Sequence, residues 1–131
     1  MYTAMASMKQ QIVNYLASQG LQPSTEDFGI FFKYQMKNFW VLTYDDDEQY
    51  FRLIMPGIMD VDQNNRADVL EACNKVCADM KVAKCYISDN DDVWLACEQL
   101  LDSDPNFDDI VPRSLKILMG AYEEYGKAIN S

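Results

Sequence analysis

Phe28-Gly29-Ile30-Phe31-Phe32-Lys33-Tyr34, Phe39-Trp40-Val41-Leu42-Thr43-Tyr44 and Tyr50-Phe51-Arg52-Leu53-Ile54-Met55 are three runs rich in aromatic and branched residues, and their reading decides the fold. Such residues suit the pleated, half-buried surface of a strand. The polar stretches Gln35-Met36-Lys37-Asn38 and Asp45-Asp46-Asp47-Glu48 lie between them. Links this short cannot make the crossover that parallel pairing needs, so the runs are expected to form an antiparallel meander. Pro56-Gly57 ends it.

On either side the hydrophobic period is helical. Before the meander, Met5, Met8, Ile12, Tyr15 and Leu16 recur at helical spacing over 3–18, and Gly20 supplies a stop. After it, Val69, Leu70, Cys73, Val76, Cys77 and Met80 form a stripe over 64–80, with Asp62 or Asn64 expected as N-cap. A second hairpin is expected over 82–87 and 93–100, turning at Ser88-Asp89-Asn90-Asp91-Asp92. A last helix over 108–129 buries Leu115, Leu118, Met119, Tyr122 and Tyr125, with Pro112 expected in its first turn. The order is α-β-β-β-α-β-β-α, an α+β chain, and no repeat or linker divides residues 1–131 into more than one domain.

Three stretches add to this order: Asn65-Arg66 through Val69-Leu70-Glu71-Ala72-Cys73-Asn74-Lys75-Val76, then Val82-Ala83-Lys84-Cys85-Tyr86-Ile87, then Pro105-Asn106. In them the chain resembles the YbjN-like proteins, assigned to bacterial sensory-transduction regulation, whose fold is similar to the type III secretion chaperones. The resemblance implies an antiparallel five-stranded sheet with flanking helices and a protein-binding or regulatory role. It implies no catalytic residue and supplies no functional residue to carry over.

Composition narrows the function. Apolar residues are 49% of the 131 and aromatics 12%, enough for a packed core. No apolar run approaches the ~20 residues of a membrane-spanning helix. The N-terminus carries no basic segment ahead of an apolar one, so a cytoplasmic protein is expected. The formal net charge is −10, which disfavours nucleic acid and anionic membranes and leaves room for a basic protein partner. Histidine is absent, which removes Ser-His and Cys-His nucleophile pairs and His-containing zinc sites. Nucleotide-binding glycine motifs and the GxSxG elbow are absent too. The chain is therefore expected to be no enzyme and to need no cofactor. An enzyme built from what remains would need a pocket gathering Glu98, Arg52 or Tyr86.

Each cluster of reactive residues has a bland reading. Cys73, Cys77, Cys85 and Cys97 fall on the apolar stripes of their elements and read as reduced core thiols, since Cys-x3-Cys is not zinc-knuckle spacing. Asp60, Asp62, Asn64 and Glu71 fall at oxygen-ligand positions of an EF-hand loop, giving a calcium- or magnesium-responsive sensor as the alternative function. Against it, the glycine position is Asn65 and a strand, not a helix, enters the loop. The carboxylates of 45–48 and 89–92 read as solvated hairpin tips.

The meander is more informative. Paired through its turns, it puts Phe31, Trp40, Leu42, Phe51, Leu53 and Met55 on one face, suited to a core beneath helices. The other face carries Ile30, Phe32, Tyr34, Phe39, Val41, Thr43, Tyr50, Arg52 and Ile54. Antiparallel sheets commonly wet one face, and here neither reads as polar. Tyr and Arg tips on the second face suit an interface, making Phe32, Tyr34, Phe39, Val41, Tyr50, Arg52 and Ile54 the candidate partner-binding residues. The occupant is a helix of the same chain, a partner protein or a second copy in a homodimer. A register slip of one residue would swap the faces.

Overall fold

A computed structural model describes residues 7–131. The first helix, α1 (Met8–Ser18), begins where the Ser7 hydroxyl accepts the Gln10 N–H at 3.1 Å. Met5 and residues 3–6 of the expected helix lie outside the described residues. It ends at Gly20, whose φ of +76° lets Gly20 N–H reach Ala17 O and Leu21 N–H reach Leu16 O. That pair of bonds satisfies the last carbonyls and turns the chain back.

Six strands follow the helix in two groups: β1 (Ser24–Glu26), β2 (Gly29–Tyr34), β3 (Lys37–Leu42) and β4 (Tyr50–Met55), then, after α2 (Arg66–Asp79), β5 (Ala83–Ile87) and β6 (Val93–Leu100). The last element is α3 (Phe107–Ile129). All strand pairs are antiparallel, in the sheet order β1-β2-β3-β4-β6-β5. The α+β class and flanking helices are as expected. The sheet has six strands and not five, because Ser24-Thr25-Glu26 pairs back on β2 with Glu26 opposite Gly29. All three β1 residues are exposed, so no apolar alternation marks the strand. Gly29 is required there: a Cβ would stand 2.5 Å from the Val41 carbonyl oxygen.

The β3–β4 register corrects the expected faces. Val41 stands opposite Leu53, and Trp40 opposite Ile54. The 43–49 connection contains two successive turns, Asp47 N–H to Tyr44 O and Tyr50 N–H to Asp47 O. It shifts β4 by one residue from a simple link, and a shift of one exchanges faces along a strand. Ile30, Phe32, Phe39, Val41, Phe51, Leu53 and Met55 therefore share a face, continued by Leu95 and Cys97 on β6 and Cys85 on β5. All belong to one core cluster with Ile12 and Leu16 of α1, Val69, Cys73 and Val76 of α2, and Val111, Leu115 and Leu118 of α3. The described residues thus form two layers, three helices on one side of a sheet.

Two helix starts differ in detail from expectation. At α2 the N-cap is Asn65, with no side-chain cap bond; Asp62 instead accepts the Asn64 and Asn65 N–H groups at 2.8 and 3.0 Å. At α3 Asn106 caps Asp108 N–H at 3.1 Å, which puts Pro112 in the second turn and not the first.

Candidate functional site

Among the described residues no helix lies on the opposite face of the sheet. Its rows follow from the strand pairing: Phe31, Trp40, Ile54, Ala96 and Lys84 lie side by side, flanked by Leu42, Arg52 and Glu98 on one side and by Lys33, Asn38, Trp94 and Tyr86 on the other. Ile54 and Ala96 are buried yet stand outside the core cluster of the helix side. Larger neighbours on their own face shelter them. Phe28 and Phe31 both pack on the Trp40 ring, with centroids 4.8 and 5.2 Å away, and Tyr86 meets Trp94 at 6.2 Å. At the rim Phe28 is 57% exposed and Leu100 82%. The Trp94 Nε1–H is buried without a hydrogen-bond partner, a donor that costs stability where it stands.

A polar cluster occupies the centre. Glu98 Oε2 takes the Lys84 ammonium at 2.8 Å, and Oε1 takes the Tyr50 hydroxyl. Arg52 Nε lies 3.1 Å from the same Oε1, close enough for an ion pair although its N–H is not aimed at that oxygen. The guanidinium donates instead to the hydroxyls of Tyr44, at 3.2 Å, and Tyr86. Burial raises the affinity of Glu98 for a proton, but the bonds from Lys84 and Tyr50 and the charges of Lys84 and Arg52 outweigh it. They hold the carboxyl below its usual range. Burial first, then the bond to Glu98, pushes Tyr50 up.

Glu98, Arg52 and Tyr86, the groups an enzyme would have to gather, are therefore brought together. They are spent on one another: the carboxylate is saturated and held charged, which makes it a weak base. Neither neighbouring cavity gathers the three: the one Tyr86 lines with Trp94 and the 87–90 turn measures about 360 Å³ and includes neither Arg52 nor Glu98, and the one beside Tyr44 and Tyr50 measures about 40 Å³ and includes none of them.

The expected partner-binding residues divide between the faces. Phe32, Phe39 and Val41 are at most 1% exposed beneath the helices, so no partner reaches them. Tyr34, half-buried, packs edge-on against Phe39 on the same side. Tyr50, Arg52 and Ile54 do belong to the uncovered face. Sequence reasoning missed Phe28, Phe31, Trp40, Leu42, Tyr86, Trp94 and Glu98 as its members. The available signal was parity: Lys33 alternates in phase with Phe31, and Asn38 with Trp40 and Leu42, and a charged or amide side chain marks the wet side of a strand.

The acidic loop does not assemble as an EF-hand. Asn65, at the glycine position, has φ −106° and not a left-handed turn. The Asp62 carboxylate is bound to the backbone of its own loop, the backbone of Asp60 pairs with that of Asp92 in an isolated antiparallel bridge, and Glu71 is exposed on α2. Among the described residues no group of three or more carboxylates or thiols is placed to hold a metal ion. The four thiols are free. Cys85 and Cys97 lie on the core face as their spacing implied, while the Cys77 sulfur sits at the outer edge of β5, 3.2 Å from Cys85 N and 3.4 Å from Cys85 O. No helix among the described residues is long and apolar enough to cross a membrane.

No family model matches the chain, and no curated protein matches it. Solved structures share its fold, two of them as follows. One is an uncharacterized protein from Methanothermobacter thermautotrophicus, with a TM-score of 0.66 at 11% identity over 94% of this chain and 96% of that one. The other is YbjN from E. coli, described by a proposed role as a transcription regulator, with a TM-score of 0.64 at 7% identity over 92% of this chain and 87% of that one. At these identities the likeness is one of fold: the chain has a YbjN-like architecture.

Proposed function

We propose that the chain is a cytoplasmic, non-enzymatic regulatory module that recognises another protein through the uncovered face of its sheet. The observation that carries this is the Phe28, Phe31 and Trp40 platform, left without a helix among the described residues while the reverse of the same strands packs into the core. Interface centres are enriched in aromatic residues and Arg, and this face offers Trp40, Trp94, Tyr86 and Arg52 together. The engagement of Glu98 by Lys84 and Tyr50, and of Arg52 by Tyr44 and Tyr86, favours recognition over chemistry. The proposed regulatory role of the E. coli neighbour is in keeping with such a module, as is the resemblance to secretion chaperones.

The test compares proteins retained from a native extract by the wild-type chain and by Phe31→Glu, with folding of both checked by circular dichroism. A partner held by the wild type and lost by the variant is expected. A partner held equally by both would move recognition to another surface.

A further inference from the structure

We infer that the occupant of the uncovered face is a second copy of this chain, docked sheet to sheet about a two-fold axis lying in the plane of contact. This rests on the reading of that face as a recognition surface and names what it recognises. Area is the first argument. Strands ~4.8 Å apart, rising ~3.3 Å per residue, make this six-stranded sheet cover roughly 500 Å² when flat. Protruding Trp, Phe and Tyr side chains raise the accessible area toward the roughly 800 Å² per partner of a stable interface. Stacked sheets pack about 10 Å apart with interdigitating side chains, and Phe28 and Leu100 stand out from the rim of this face, 57% and 82% exposed.

Charge is the second argument. The chain carries −10 overall, yet the strand residues of this face are Lys33, Arg52 and Lys84 against Glu26 and Glu98. It is the side on which two acidic molecules approach without net repulsion. The pattern is also self-complementary. On the β1–β2 side, Glu26 lies at one end and Lys33 at the other. On the β5–β6 side, Lys84 lies toward the Glu98 end and Asp89 in the turn at the opposite end. Turned over about an axis across the strands, Lys33 faces Glu26 of the second copy. Turned about an axis along them, it faces Asp89. Either two-fold sets unlike charges together, as a self-complementary contact requires.

Sedimentation velocity of the full chain, from low micromolar to several hundred micromolar, tests this with five proteins: wild type, Phe31→Glu, Lys33→Glu, and Lys33→Glu combined with Glu26→Lys or with Asp89→Lys. Lys33, Glu26 and Asp89 are all exposed, so the changes leave the fold intact. A wild-type dimer is expected, lost in Phe31→Glu and weakened about tenfold in Lys33→Glu by the like charges it creates. One of the two double variants restores it and thereby identifies the axis. A chain that stays monomeric throughout overturns the inference, as does a dimer indifferent to Phe31→Glu or one that neither double variant restores. A monomer that retains a different protein through Phe31 would sink the dimer while leaving the protein-recognition reading standing. Binding of a single-stranded oligonucleotide to the face, without dimerisation, would overturn both.

Discussion

Phe39 and Trp40 are neighbours in β3 and point to opposite faces of the same sheet, one 0% exposed beneath the helices and the other open under Phe28 and Phe31. The covered face is continuous apolar packing. The open face combines aromatic rings with a cluster of Arg52, Lys84, Glu98 and tyrosine hydroxyls. Strand residues of similar bulk thus serve different ends: on one side they hold the fold together, on the other they form a surface.

The sharpest way to break this comparison is to truncate the two neighbours. Phe39→Ala removes a fully buried ring stacked on Phe32 at 5.6 Å and is expected to cost about 3–5 kcal/mol in urea unfolding. Trp40→Ala, larger in volume, is expected to cost only about 1–2 kcal/mol because its ring is half-buried, held by Phe28 and Phe31 and not enclosed in the core. Equal losses would mean the two faces are alike.

Next comes the ion cluster. Arg52→Met leaves the Tyr44 and Tyr86 hydroxyls without their donor and weakens the hold on Glu98, for a loss of about 1–3 kcal/mol. It also changes the acid limb. Because Glu98 has a lower proton affinity folded than unfolded, the unfolded state binds more protons. The stabilisation from Glu98 is complete above the ordinary carboxylate value and disappears as pH falls through the lower folded value. Arg52→Met should raise the pH at which that loss occurs, read as the stability midpoint on acid titration. An unmoved midpoint would separate Arg52 from the carboxylate.

These contrasts show what the sequence could and could not tell. The β5–β6 hairpin was legible because Lys84 and Glu98 alternate cleanly with Cys85, Leu95 and Cys97, and its pairing about Asn90 leaves no freedom of register. Helices α2 and α3 were legible from their stripes, although Leu70 and Cys77 of the expected α2 stripe and Tyr122 of the expected α3 face are exposed. β1 was not, since Ser24-Thr25-Glu26 buries nothing. The β3–β4 register was not, since both alternations of β4 are apolar apart from Arg52, and the double turn of the 43–49 connection decided between them. That one residue moved Phe32, Phe39 and Val41 from candidate surface to core.

Smaller effects sharpen the account at the margins. The β2–β3 turn places Gln35 and Met36 at φ +49° and +66°, a conformation that glycine adopts without strain. Met36 is 99% exposed, so Met36→Gly is expected to raise stability by about 0.5–1 kcal/mol without touching either face. Leu100→Glu, at the open rim, should shift stability by less than about 0.5 kcal/mol and still weaken association. A large stability loss there would show the rim to be part of the core.

The central claim is tested most directly by the chain's own fluorescence, since both of its tryptophans, Trp40 and Trp94, stand on the uncovered face. Acrylamide quenching of the dilute native protein is predicted to be substantial, and to fall as concentration rises and a second copy covers the rings. Quenching as weak as that of a buried core indole at every concentration would contradict the account.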